Sequence, residues 1–135
     1  MKNSFCIIVA NYYPKISKRL LKGAISKLEI MGINKFKIIY APGVFEIPVI
    51  ISRKIKEYDA FICLGCVIKG ETPHFDYISA ATINSIIQLS TKYKKPIGNG
   101  ILTCLNMKQA KDRSNTSKKN KGGEAANAVI KVLEA

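Results

Sequence analysis

Long apolar runs are missing from this 135-residue chain, and acid, cysteine and histidine are scarce. No stretch approaches the roughly 18 to 20 apolar residues that a membrane span requires. Met1-Lys2-Asn3-Ser4 is followed only by the short run Phe5 to Ala10, then Asn11 and Tyr12, which is no secretory leader. A cytoplasmic protein with no membrane partner is expected. The four cysteines, Cys6, Cys63, Cys66 and Cys104, lie inside apolar runs. They predict buried, reduced thiols rather than a disulfide framework. Cys63-Leu64-Gly65-Cys66 has the spacing of a metal or redox pair, but "AFICLGCVI" reads as a buried strand, and strand residues three apart point to opposite faces. The two thiols are not expected to share a metal.

Nine acidic residues against 22 Lys and Arg leave a net charge of +13. Such a charge suits nucleic acid or another anion. The lysines, however, are scattered through "KISKRLLK", "KYKK" and "SKKNK", with no strip of interleaved aromatics on which bases would stack. Solvated basic faces are predicted, and nucleic acid is not expected as a partner. A local anion site built from one or two of these charges stays open.

What is present is a 47% hydrophobic content, and a chain long enough to bury about two-thirds of its unfolded surface. Residues 1–135 are expected to form a single domain, without repeat or linker. "SFCIIVA" (4–10), "FKIIYA" (36–41), "AFICLGCV" (60–67) and "PIGNGILTC" (96–104) are continuous apolar runs, as parallel strands covered on both faces require. Helical patterns alternate with them. Ser17 is placed to cap a helix striped by Leu20, Leu21, Ala24, Ile25 and Leu28, with Gly32 past its end. "EIPVIISRKIKEY" carries Pro48 near a first turn, "DYISAATINSIIQLSTKY" groups Ile83, Ile86, Ile87 and Leu89, and "GGEAANAVIKVLEA" stripes Ala126, Val129, Ile130 and Leu133. "RSNTSKKN" (113–120) is a loop between two C-terminal helices. The alternation predicts an α/β fold, a three-layer αβα sandwich on a four-stranded parallel sheet.

Ligands of such sheets bind outside the carboxyl ends of the strands. Those ends lead into Asn11 to Pro14, Pro42 to Glu46, Ile68 to Phe75, and Thr103 onward. "KGETPHF" reads as a long loop in which Gly70 lets the backbone turn its amides toward an anion around Glu71 and Thr72, beside His74. The only imidazole of the chain is either a surface group or a base able to accept a proton at one atom and return it at another. Phe45 and Glu46 pair an aromatic face with a carboxylate, suited to a flat polar ring and its hydroxylated side chain; Glu46 alone equally suits a helix N-terminus. Tyr12 offers a second stacking face. Arg113 and Lys121 either bring guanidinium and ammonium to a phosphate or belong to an ordinary basic loop. The residues thus describe a metal-free site for a planar polar ligand plus an anion, with acid/base capacity.

"LKGAISKL", "APGVFEIPVI", "LGCVIKGETPHFDYI", "GILTCLNMKQAKDRS" and "NKGGEAANAVIKVLE", in this order and spacing, resemble the lumazine synthase family over nearly the whole chain. The resemblance implies a flavodoxin-like strand order 2-1-3-4. It also implies the penultimate reaction of riboflavin biosynthesis: condensation of 5-amino-6-(ribitylamino)uracil with 3,4-dihydroxy-2-butanone 4-phosphate, releasing phosphate and water, without cofactor. By resemblance Tyr12 stacks on the pyrimidine, and Val44, Phe45 and Glu46 hold ring and ribityl chain. Cys66, Val67 and Ile68 line the same pocket. Glu71 and Thr72 present amides to the phosphate with Arg113, Lys121 lies close by, and His74 is the acid/base group. Tyr12 stands where Phe or Trp is usual, keeping the stacking face. Asn99 stands where many members carry an aromatic lent by a neighbouring subunit, and Ser114-Asn115 replaces a common Ala-Gly. The resemblance further implies a homopentamer with sites between subunits, and the early first strand, without the extension of shell-forming members, implies assembly that stops there. Two alternatives remain: a riboflavin synthase of the archaeal type, separable by its product, and a flavin- or lumazine-binding protein without turnover, against which His74 and Arg113 argue.

Overall fold

The computed structural model describes residues 2–135. Strands β1 (Phe5–Ala10), β2 (Lys37–Ala41), β3 (Ala60–Ile68) and β4 (Ile97–Cys104) alternate with helices α1 (Pro14–Ile30), α2 (Ile47–Lys54) and α3 (His74–Tyr93). Two further helices follow, α4 (Met107–Ser114) and α5 (Lys121–Glu134). All neighbouring strands run parallel, in the order β2-β1-β3-β4, so β1 and β3 are central. Among the described residues no helix is long and apolar enough to cross a membrane.

Alternation along each strand divides the core in two. Ile7, Val9, Ile62, Leu64, Cys66 and Cys104 face α1 and α5, packing with Leu20, Ala24, Leu28, Ala126 and Val129. Cys6, Ile8, Phe61, Cys63 and Ile101 face the other way, onto Ile47 and Ile51 of α2 and Ile86 of α3. The αβα layering follows. So does the fate of the C-x-x-C: Cys63 and Cys66 lie on opposite faces of β3, and all four cysteines are buried free thiols.

Two local expectations are corrected. Ser17 does not cap α1, because Pro14 starts the helix three residues earlier, where its fixed φ and missing N–H are tolerated. The Ser17 hydroxyl donates instead to the Ala10 carbonyl at 2.7 Å, tying α1 to the end of β1. His74 does not sit within a loop: it is the first residue of α3, after Pro73, so the β3–α3 connection is shorter than its sequence suggests. Gly32, by contrast, ends α1 as expected, at φ +79°. Asn115 needs no glycine in its place, because its φ of −66° is open to any residue.

Candidate active site

Three strand ends converge on one cavity of about 610 Å³. Ala10 of β1 leads into Tyr12 and Tyr13, Ala41 of β2 into Gly43 to Glu46, and β3 contributes Cys66, Val67 and Ile68; Gly70, Thr72, His74, Phe75 and Ile78 complete the wall. The approach is close because β3 carries Gly65 opposite the 3-10 turn Val44–Glu46. A Cβ there would stand 2.7 Å from Val44 Cγ1 and 2.9 Å from Ala10 Cβ, so a side chain would push Val44 off the sheet. Val44 is buried beneath the cavity, while Phe45 turns outward, 61% exposed. Tyr12 is 70% exposed and meets Tyr13 edge-on, ring centroids 4.9 Å apart at 84°. Two aromatic faces are thus offered to a ligand rather than to the core.

His74, exposed at the start of α3, opens onto this same cavity, with Thr72 beside it. Glu71 is exposed and is not part of the wall. Gly70 does not adopt the left-handed backbone that only glycine favours, so its freedom is not what shapes the loop. The loop is held at its start by the Lys69 amide, which donates to the Cys104 carbonyl of β4 at 2.9 Å. The first amides of a helix such as α3 lack intrahelical acceptors, which leaves donors free at this mouth.

Arg113, Lys121 and Asn99 lie elsewhere. They line a second cavity of about 360 Å³ along the open edge of β4, with Ile101, Leu102, Thr103 and Glu124. Lys121 pairs with Glu124 at 3.2 Å. The Arg113 guanidinium makes only a long bond, 3.5 Å, to the Gln109 carbonyl, so most of its five donors remain available. Asn99 turns its Oδ1 back to the Ile101 amide at 3.1 Å. Apart from Glu71, the expected site residues therefore fall into two groups within one chain, an aromatic cavity with the imidazole and a cationic cavity with the guanidinium.

Cys66, in the wall of the first cavity, and its neighbour Cys104 are buried free thiols. Burial pushes Cys66 up to about 12, and neighbouring Cys104 adds to the effect. Burial also raises Cys104, against the pull of Arg113. Tyr13 is raised too, by burial first and then by Tyr12 and Cys66.

Comparison with known proteins matches the sequence to one family. The sequence profile described as 6,7-dimethyl-8-ribityllumazine synthase covers residues 2–135. The chain belongs to the 6,7-dimethyl-8-ribityllumazine synthase family. It is 44% identical over 135 residues to the 6,7-dimethyl-8-ribityllumazine synthase of Buchnera aphidicola subsp. Schizaphis graminum, covering 96% of this chain and 85% of that relative. It is 43% identical to that of Buchnera aphidicola subsp. Acyrthosiphon pisum (strain Tuc7), over 97% and 85%. Within this chain, Tyr13, Phe75 and Ile78 are wall residues that sequence reasoning did not single out. Phe75 and Ile78 stand three apart just after His74, the spacing that puts two side chains on one face of a first helical turn. That signal was available once the helix start was placed at His74.

Proposed function

We infer that this chain condenses 5-amino-6-(ribitylamino)uracil with 3,4-dihydroxy-2-butanone 4-phosphate to 6,7-dimethyl-8-ribityllumazine, releasing phosphate and water. The observation that carries the reading is the convergence of Tyr12, Phe45 and His74 on one cavity in a chain of this family. Tyr12 and Phe45 hold the pyrimidine, and Glu46 and the β3 residues Cys66, Val67 and Ile68 meet ring and ribityl chain. Thr72, Arg113 and Lys121 take the phosphate. The aminouracil amine attacks the ketone and water leaves to give an imine; loss of a proton with departure of phosphate gives an enol that tautomerises to a ketone, and the ribitylamino nitrogen closes the ring on that carbonyl with loss of a second water. His74 carries protons through these steps, while the guanidinium and ammonium stabilise the charge that develops on the leaving group. Holding both substrates removes the entropic cost of their encounter.

The separation of Arg113 and Lys121 from His74 supports sites shared between neighbouring copies, the second copy lending its β4 edge to the first copy's aromatic cavity. Along that edge Ile87 and Val132, 56% and 57% exposed, flank a further groove that includes Ile97 and Asn99. These are apolar side chains that a neighbour would cover. Such head-to-tail contacts close into a ring, here a homopentamer of one-domain subunits, working in the cytoplasm on water-soluble substrates. The test mixes purified protein with both substrates and follows the fluorescent lumazine against the uncatalysed reaction, with native mass spectrometry for the ring. Acceleration by a pentamer is expected. Binding of lumazine without acceleration, from folded and assembled protein, would replace the enzyme reading with a carrier.

A further inference from the structure

The cationic cavity depends on where α5 begins. Its first residue is Lys121, and the residue before it, Asn120, has a left-handed backbone at φ +45°, ψ +53°. Only Lys94 shares that feature with it among the described non-glycine residues. Asparagine tolerates this conformation far better than residues with larger or branched side chains. Its side chain also works: Oδ1 accepts from the Gly123 amide at 3.2 Å, capping the helix. Its main chain joins both sides of the turn, the amide donating to the Asn115 carbonyl and the carbonyl accepting from Glu124, each at 3.0 Å.

The turn is pressed onto α1. A Cβ on Gly23 would collide with Asn120 Oδ1 and stand 3.1 Å from the Gly123 amide nitrogen, and a Cβ on Gly122 would collide with the Leu20 carbonyl. Backbone meets backbone, so the first turn of α5 cannot rock toward α1. Asn120 sets the other coordinate, the direction in which the chain enters the helix and hence the direction of Lys121. Lys121 lines the cavity that holds Arg113; Asn120 does not.

We propose that Asn120 is a positioning residue for phosphate recognition, its left-handed cap seated against Gly23 of α1 and aiming Lys121 into the Arg113 cavity. The proposal rests on the reaction inferred above and adds a residue to it. An alanine at position 120 loses the cap and disfavours the left-handed backbone, whereas a glycine keeps the backbone and loses little of the capping preference.

The test uses the assembled enzyme and measures KM for each substrate separately. Asn120→Ala is expected to raise KM for the butanone phosphate about five- to tenfold, with KM for the aminouracil changed less than about twofold and Asn120→Gly restoring most of the loss. In a double-mutant cycle, Asn120→Ala should add nothing to the KM of Lys121→Ala, because its effect runs through that lysine. Equal changes in both KM values, or full additivity with Lys121→Ala, would overturn the proposal and leave Asn120 a cap for stability alone. Should Asn120→Ala fail to fold, Asn120→Ser, which keeps a capping oxygen but disfavours the backbone, takes its place in the same cycle with the same two outcomes. Wild-type protein without turnover would instead refute the reaction itself, before any variant is compared.

Discussion

The cavity at the ends of β1, β2 and β3 is walled by Tyr12, Tyr13, Phe45, Phe75 and Ile78 around one imidazole, whereas the cavity on the β4 edge gathers Arg113, Lys121, Asn99 and Thr103. The first offers stacking faces and a proton carrier but little fixed charge; the second offers charge but no ring to stack on. Each lacks what the other holds. A substrate pair made of a planar uracil and a phosphorylated ketone needs both, so under the proposed function the stacking faces and the fixed cationic charge are carried by separate parts of the fold. The division is open to attack at each of its residues.

The largest effect should come from His74. His74→Ala is expected to slow lumazine formation at saturating substrates by roughly 10² to 10⁴-fold, the range for a positioned acid/base group, with the assembly unchanged by native mass spectrometry. A loss below about tenfold would move proton transfer to water or to the substrate's own phosphate, and the aromatic cavity would become only a holder. Next comes Arg113. A charge-assisted hydrogen bond worth about 1.5 to 3 kcal/mol corresponds to roughly 10- to 150-fold, so Arg113→Ala should lower kcat/KM for the butanone phosphate by that factor. The KM for the aminouracil should stay within about twofold. If both substrates weaken together, the two cavities are not separate in function.

A milder blow falls on the scaffold of the cationic half alone. Gly122→Ala places a methyl against the Leu20 carbonyl of α1, and backbone cannot step aside as a flexible side chain can. Overpacking of this kind costs about 1 to 3 kcal/mol, to be read from urea unfolding. Aminouracil binding, by fluorescence or calorimetry on the folded variant, should persist, since α5 contributes nothing to the aromatic wall. Loss of that binding would show that the halves are coupled through α1.

Most of the architecture was legible because burial on both faces forces β1 and β3 into unbroken apolar runs, while the helices repeat at their own period. All four strands lie within a residue of the stretches that their composition marks out. Helix starts were less legible. Pro14 begins α1 and Pro73 stands just before α3, so a reader waiting for Ser17 or for Asp76 places both starts too late; a proline's lost donor is harmless in a first turn, and neither helix has a side-chain cap to find. The aromatic half of the site could be read from the strand ends, since topology gathers them. Sequence order could not reveal that Arg113 and Lys121 open along the β4 edge and away from His74, because that depends on where α4 and α5 land after the last strand.

The smallest effect is expected where the two halves meet, at the thiols. Cys66 faces the aromatic cavity, and Cys104 feels Arg113. With Cys66 held near 12 and Cys6 near 11 by burial, both stay protonated in the folded state at neutral pH. Iodoacetamide at pH 7.5 should therefore leave the rate within about twofold, because the thiolate is the reactive form. All four thiols should label only after unfolding. Because the folded state holds these protons more tightly than the unfolded chain, stability is unaffected below about pH 9 and falls as pH climbs toward 11 and 12. Labelling should accelerate over that same window. Rapid modification of Cys66 at pH 7.5, with activity lost, would mean that water reaches the floor of the aromatic cavity. The boundary between a dry stacking site and a charged phosphate site would then lie closer to the mouth than Cys66.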